Sequence, residues 1–181
     1  LSDNIFDEIS AYNYVIDQEV ITVGMFLQSD WSLGRRMNLL SGIRLDRHSL
    51  LDDVVLSPRF SFLYNFYRNT QFRISYSTGF RAPQAFDADL HMAFAGGGVS
   101  RIELDGNLKE ERPKSFSSSF NYDKAALQYI YGFTLEGFYT LLEGAFVQES
   151  SGEDEFGEIF VKRNGAGAVV SGFSMDFRFN Y

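Results

Sequence analysis

A recurring alternation of apolar and polar residues most constrains what this chain can fold into. From Leu56 to Phe66 every second residue is apolar, and polar side chains occupy most positions between them. Thr70–Ser77 follows the same rule, with Phe72, Ile74 and Tyr76 on one side. Successive side chains of a β-strand point to opposite faces, whereas a helix would spread these residues around its circumference. The pattern therefore predicts strands with one apolar and one polar face.

The alternation predicts about seven antiparallel strands and an all-β fold. They cover residues 18–31, 36–48, 54–67, 70–80, 114–123, 127–148 and 165–181. Several exceed the ~5–6 residues usual in soluble proteins and approach the ~9–11 residues of a tilted membrane strand. The only helix expected is a short one over residues 84–92.

The predicted connections alternate in length. Short ones fall at residues 32–35, 68–69 and 124–126, and long ones at 49–53, 81–113 and 149–165. Short turns at one end and long loops at the other are typical of an up-and-down outer-membrane barrel. We therefore interpret the chain as part of a large transmembrane β-barrel.

The aromatic content agrees with this interpretation. Aromatic residues make up 17% of the chain, with 19 Phe and 10 Tyr, and many of them fall on the apolar faces of the strands. In a bilayer such a face meets lipid, and the Arg, Asp and Ser of the other face line a wet or plugged lumen. In water the same face would have to be the buried core of an antiparallel sandwich.

The supply of charged and reactive residues excludes several functions. A net charge of −8 argues against nucleic-acid binding, which needs a basic face. Without Cys the chain has no disulfide, thiolate metal site or Cys nucleophile, and it has only two His. No pattern builds a cleft with paired carboxylates, so we expect no enzyme activity, no cofactor and no metal site. The longest apolar runs are far shorter than the ~20 residues of a membrane-spanning helix, and no signal peptide is visible at Leu1–Asn4.

Several short motifs, taken in order, resemble the barrel of TonB-dependent outer-membrane receptors. Tyr76–Pro83 reads YSTGFRAP, and after a long loop Asn107–Glu111 reads NLKEE, where the family commonly has Pro in place of Glu110. The other matches are Gly24–Trp31 (GMFLQSDW), Gly42–His48 (GIRLDRH), Ser57–Arg59 (SPR) and the stretch from Asn164 to Tyr181. Together they cover about residues 20–181.

The resemblance implies a receptor that imports a scarce, large nutrient across the outer membrane of a Gram-negative bacterium. Family cargo includes iron–siderophore chelates, cobalamin, haem and some glycans. Members close 22 strands around an N-terminal plug, and the periplasmic TonB–ExbB–ExbD complex drives import through a segment before that plug. Residues 1–181 would then be a segment of a single barrel domain, without the plug, and its partners would be that complex, outer-membrane lipid and a small-molecule chelate. The long connections and residues 1–17 would be extracellular.

The long loop 81–113 is where we expect ligand contact, because loops of this length are usually functional or disordered. The candidate ligand-binding residues are Arg81, Gln84, Phe86, Asp87, Asp89 and His91. The Asp87-x-Asp89-x-His91 stretch either offers carboxylates to a cation such as Ca²⁺ or fixes its own loop, with Asp87 capping a helical turn. Arg81 either pins the loop by forked bonds to a carboxylate or to carbonyls, or meets an anionic ligand. Gly96–Gly98 is expected to be a flexible joint.

Charged residues outside that loop have simpler expected roles. The acidic stretch Ser150–Phe156 is predicted to be a solvated, mobile turn. Six residues of the polar faces are expected to pair with one another or with the plug: Arg44, Asp46, Arg59, Arg73, Asp176 and Arg178.

Two other functions stay open from the sequence. One is a complete eight-stranded outer-membrane barrel with a structural or adhesion role, because bacterial barrels begin at eight strands and Phe177–Tyr181 resembles a closing strand. The odd number of predicted strands counts against it. The other is a soluble β-sandwich binding module, which would be a stable monomer without detergent. A seven-stranded piece leaves two unpaired edges, so we expect the isolated chain to aggregate or to form oligomers in water.

Overall fold

The fold is built from strands alone in the part of the chain that the structure, a computed structural model, describes: residues 2–9, 14–67, 69–83, 101–154 and 157–181. The eleven strands are β1 (Ser2–Ile9), β2 (Tyr14–Leu33), β3 (Met37–His48), β4 (Val55–Tyr67), β5 (Thr70–Thr78), β6 (Arg101–Leu104), β7 (Arg112–Ala125), β8 (Ile130–Glu143), β9 (Phe146–Asp154), β10 (Gly157–Asn164) and β11 (Ala168–Asn180). The helix expected over residues 84–92 lies outside these ranges.

The main sheet has eight strands in the order β1-β2-β3-β4-β5-β7-β8-β11, and all of its pairings are antiparallel. The predicted all-β, up-and-down antiparallel fold is thereby confirmed. Each of the seven predicted strands has a counterpart in this sheet, and β1 adds an eighth at one edge. Within the described ranges no ladder joins β1 to β11, so the sheet is open, whereas an eight-stranded barrel would close through that pairing.

Two predicted boundaries differ from the structure. The strand predicted over 18–31 extends over Tyr14–Leu33, because its first part pairs with β1 and its second part with β3. The strand predicted over 127–148 ends at Glu143, since Gly144 adopts a φ of 64°, a left-handed conformation that interrupts a strand. The loop predicted over 149–165 instead contains most of β9 and β10. The acidic stretch predicted to be a turn is therefore a strand as far as Asp154.

From β2 to β11 the connections of the main sheet are segregated by length, as expected. Short ones follow Leu33, Tyr67 and Ala125, and all three lie at one end of the sheet because the strands alternate in direction. The long connections, 49–54, 79–111 and 144–167, lie at the other end, which we call the loop end. There β10 pairs in parallel with β6 and antiparallel with β9, so a second, three-stranded sheet combines strands from two long connections.

The two faces of the main sheet differ chemically. On one, which we call the apolar face, Phe60, Tyr76, Phe116 and Tyr139 lie opposite one another across four strands. Apolar side chains at the flanks of this face are largely exposed, for example Leu27 at 73%. A soluble sandwich would bury such a face against a second sheet, and among the described residues no second sheet covers it. The opposite, polar face carries hydroxyl pairs such as Ser61–Ser75 and Ser115–Thr140, both at 2.9 Å.

The buried core is small and lies at the loop end. Val55 is buried with Leu51 and Ala82, and Phe80 packs against them. Most of the apolar surface therefore lies on the face of the sheet instead of in a core.

Gly132 on β8 provides a test of the sheet's packing. A Cβ added there would overlap Asp123 Oδ1 and lie 2.5 Å from the carbonyl oxygen of Tyr122, whereas one added at Gly137 of the same strand would meet nothing nearer than 3.9 Å. We expect Gly132→Ala to lower the free energy of unfolding by about 1–3 kcal/mol, and Gly137→Ala to change it much less. Urea unfolding of the full-length protein in detergent measures both. A Gly132→Ala loss no larger than that of Gly137→Ala would contradict the register of β7 and β8.

Candidate functional site

The bases of two long connections meet in a cluster of charged and aromatic side chains at the loop end. Arg81 follows β5 and Glu111 precedes β7, and their backbones form an isolated antiparallel bridge, with N–H to carbonyl distances of 3.1 and 3.0 Å. The Arg81 Nε lies 3.0 Å from Glu111 Oε2, and the Glu111 side chain is 8% exposed. Of the two roles expected for Arg81, pinning the loop through a carboxylate is the one that this contact fits.

Glu111 also holds the start of the next connection. Its Oε1 accepts a hydrogen bond of 2.6 Å from the backbone N–H of Phe146. The ring of Phe146 has two cations near it, since Arg81 Cζ and Lys162 Nζ each lie 4.9 Å from its centroid. Lys162 is 1% exposed. One carboxylate and one aromatic ring thus join segments that are far apart in sequence, by a charged hydrogen bond and by cation–π contacts.

Asn164 joins the same two connections from the other side. Its Oδ1 accepts a 2.7 Å hydrogen bond from Lys109 N–H, and its Nδ2 donates to the carbonyls of Lys109 at 2.9 Å and Gly144 at 2.7 Å. The NLKEE motif and the β9–β10 hairpin are therefore fixed to each other by hydrogen bonds between side chains and backbone groups.

A second group of side chains holds β3 beneath this cluster. Asp46 is almost completely buried and accepts hydrogen bonds of 2.7–2.9 Å from Arg44. An added Cβ at Gly24 would come within 2.5 Å of Asp46 Oδ1, so glycine leaves room for this pair. His48 accepts a hydrogen bond from Leu50 N–H on Nδ1 at 3.1 Å, and its ring meets the edge of Phe80 at 6.1 Å. These contacts position the chain just before Arg81.

Below the cluster the polar face forms two hollows. The first is lined by Arg44 and Arg59 together with Ser57, Ser75, Ser77 and Ser117. The second is lined by Arg73 and Glu136 together with Ser75, Ser117, Ser119, Asn121 and Ser174. Arginine and hydroxyl groups therefore dominate the polar lining of this wall.

The pairing expected on the polar face is found in part. Arg178 contacts Asp123 and Asp176, both at 2.9 Å, and Arg44 contacts Asp46. Arg59 and Arg73 have no ionic partner among the described residues.

The structure describes one of the six predicted ligand-binding residues, Arg81. Gln84, Phe86, Asp87, Asp89 and His91 lie outside the described ranges, as does Gly96–Gly98, so their roles stay predictions. Within the described ranges no group of three or more His, Asp or Glu side chains is placed to hold a metal ion.

Sequence reasoning assigned no role to Glu111, Phe146, Lys162 or Asn164. Glu111 and Asn164 belong to motifs that can be recognised in the sequence, so the two residues could have been singled out as candidates. The contacts that they make could not be predicted from those motifs. Phe146 and Lys162 gave none, because the β9–β10 hairpin that brings them to Arg81 was not predicted.

Comparisons with known proteins agree with this architecture. The family model described as "TonB dependent receptor-like, beta-barrel" matches residues 2–181. The described part of the chain contains no helix long and apolar enough to cross a membrane. The sequence matches none of the curated proteins with which it was compared.

Solved structures with the same fold are distant in sequence. The siderophore receptor PirA of Pseudomonas aeruginosa matches with a TM-score of 0.74 and 16% identity, over 89% of this chain and 31% of that one. The Serratia marcescens hemophore receptor HasR, in a complex with its hemophore HasA and heme, matches with a TM-score of 0.66 and 12% identity, over 91% and 32%. The FrpB iron transporter of Neisseria meningitidis matches with a TM-score of 0.63 and 16% identity, over 92% and 24%. This chain thus spans about a third or less of each structure.

Proposed function

This chain belongs to the TonB-dependent receptor β-barrel family, and on that premise we propose that it forms part of the wall of a receptor that imports an iron chelate, of the siderophore or haem class, across the outer membrane of a Gram-negative bacterium. The observation that carries the proposal is an eight-stranded antiparallel sheet with chemically opposite faces, within a family match over residues 2–181. The names of the three solved structures favour iron as the nutrient, because they refer to a siderophore, to heme and to iron.

The dimensions of the apolar face support a place in a membrane. On β7, Lys114 and Lys124 both fall on that face, with Phe116, Phe120 and Tyr122 between them. Ten residue steps separate the two lysines, about 33 Å along a strand, and a tilt of 35–45° reduces this to about 25 Å across the membrane. An apolar band of about that height is typical of outer-membrane barrels.

Aromatic rings mark the end of the apolar face where the short connections lie. Phe133 lies 5.8 Å from Tyr122 and 6.4 Å from Phe177, and Tyr129 lies 6.3 Å from Phe179. Tyr122 and Tyr129 each have an apolar ring with a polar hydroxyl, and such side chains favour the interface between lipid and water. This belt supports placing that end of the sheet at a surface of the membrane, and the short connections there favour the periplasmic surface.

The proposed energy source is the TonB–ExbB–ExbD complex, acting through a plug that lies outside residues 1–181. Import then needs no chemistry from this chain. The loop-end cluster around Arg81 and Phe146 would form the floor of the chelate's entrance, because charged and aromatic groups face the polar side of the wall there.

An uptake assay tests the proposed function. Cells with and without the full-length gene, and cells without TonB, are supplied with one of three iron sources: a ferric tris-catecholate, a ferric trihydroxamate or haemin. We expect cells with the gene to accumulate iron from at least one source, and both mutants to fall to the background level for it. Glycerol uptake, which needs no such receptor, is the control. Equal accumulation in cells with and without the gene for all three sources, or import without TonB, would contradict the proposal.

A further inference from the structure

Arg59 and Arg73 differ from the other two arginines of the polar face because they make no ion pair with a described residue. Arg44 and Arg178 each contact a carboxylate at 2.7–2.9 Å. Arg59 and Arg73 contact none in the part of the chain that the structure describes, and both are exposed. A guanidinium is always charged and its planar fork suits carboxylate and similar oxygen pairs. These two groups are therefore available to an anion from outside the sheet.

The register places the two arginines in one line that leads down from Arg81. Arg59 pairs with Ser77, and Arg73 lies four residues before Ser77 on β5. Arg81 lies four residues after Ser77 on the same chain segment. Each step of four residues is about 13 Å along a strand. Three guanidinium groups thus mark three levels of the wall, from the loop end towards the short connections.

The surface between these arginines is lined with small hydroxyl side chains. Ser75 and Ser117 line both hollows and Ser77 lines the first. Ser57 lines the first hollow too, and its Oγ is buried without a hydrogen-bond partner among the described atoms.

The acidic groups near this line of arginines are too few to neutralise it. No carboxylate lines the first hollow. Glu136 lines the second, in the same row of the sheet as Arg73 and two strands away from it, but no ion pair joins the two side chains in the described part of the chain. The wall formed by β4, β5 and β7 is therefore locally positive in a chain whose net charge is −8.

We propose that Arg59 and Arg73 form an anion track, along which a negatively charged chelate passes after it leaves the Arg81 level. The inference rests on the proposed function. It adds that the cargo is negatively charged and that it moves along the wall formed by β4, β5 and β7. Separate, hydrated contacts suit transport, because binding that is favourable but weak lets the cargo both enter and leave. The competing occupant is a set of carboxylates on the plug, which would hold the same two arginines permanently.

Uptake by variants of the full-length receptor separates these occupants. The variants are Arg59→Gln, Arg73→Gln, the double variant, the two Lys variants, and Arg35→Gln as a control for lost charge in a short connection. Each is tested with ferric tris-catecholate, which is anionic, and ferric trihydroxamate, which is neutral. Surface binding is measured in the cold and uptake on warming.

We expect the double Gln variant to take up the anionic complex roughly tenfold more slowly, which corresponds to an increase of about 1.4 kcal/mol in the transport barrier. Surface binding and import of any neutral complex should stay unchanged, the Lys variants should keep most of the rate, and Arg35→Gln should match the wild type. Equal slowing for both complexes, weaker surface binding, or less receptor in the membrane would overturn the inference in favour of plug carboxylates. A wild type that imports only the neutral complex would overturn the inference and leave the proposed function standing, whereas a wild type that imports none of the three iron sources would overturn the proposed function.

Discussion

Replacing Phe173 with Arg in the full-length receptor is expected to destabilise the barrel by about 2–4 kcal/mol, the cost of a cation on the lipid face near the midplane of the bilayer. Phe173 is 69% exposed on the apolar face of β11. Its row in the sheet includes Gly137, Ser118 and Ile74, roughly midway between the levels of Lys114 and Lys124. The amount of heat-modifiable, folded receptor in the outer membrane and its midpoint of urea unfolding measure the loss.

The adjacent residue is the matched control. Ser174 lies one position further on β11, so its side chain points to the polar face, where it lines the second hollow. Ser174→Arg adds the same charge to a wet surface, and we expect it to change stability by less than about 1 kcal/mol. Equal losses for the two variants, or a larger loss for Ser174→Arg, would mean that the apolar face does not meet lipid.

The second large effect is expected at Glu111. Its carboxylate is nearly buried and accepts bonds from Arg81 and from the backbone of Phe146. Glu111→Gln removes the charge that stabilises both contacts. We expect the base of the two connections to open more easily by roughly 2–3 kcal/mol, below the ~3–5 kcal/mol of a fully buried pair because Arg81 is 50% exposed. Amide hydrogen exchange at Arg81 and Phe146 in the full-length receptor reports the free energy of this opening.

Glu110→Gln is the control for that variant. Glu110 pairs with Arg112 at 2.8 Å but its side chain is partly exposed, so its loss should change exchange at Phe146 by less than about 1 kcal/mol. If the two variants speed exchange equally, or if neither does, the cluster does not depend on Glu111.

The main sheet could be predicted because its signal is local. Alternation is decided by neighbours in sequence, so residues 54–67 and 70–80 were located within two residues of β4 and β5. The pairs Arg44–Asp46 and Asp176–Arg178 were also accessible, because residues two apart on a strand share a face. The contact of Arg178 with Asp123 crosses two strands, and no local pattern shows it.

The strands that were missed depend on distant partners. β1 (SDNIFDEI) carries mostly polar residues and is held by its register with β2. β6 has four residues and exists through its parallel pairing with β10, more than fifty residues away. Because Phe146 and Lys162 belong to that second sheet, the loop-end cluster could not be assembled from the sequence, although Arg81 and the motif that contains Glu111 could be identified.

Site-directed spin labelling along β7 tests most directly whether one face of this sheet meets lipid. The chain contains no Cys, so it adds no competing thiol to single Cys substitutions at positions 116 to 120 of the full-length receptor. A lipid-facing wall predicts strong relaxation by oxygen, which dissolves in the bilayer, at Phe116, Ser118 and Phe120, and little at Ser117 and Ser119. Relaxation that does not alternate along the strand, or that a water-soluble nickel chelate dominates at Phe116 and Phe120, would contradict the proposed membrane wall.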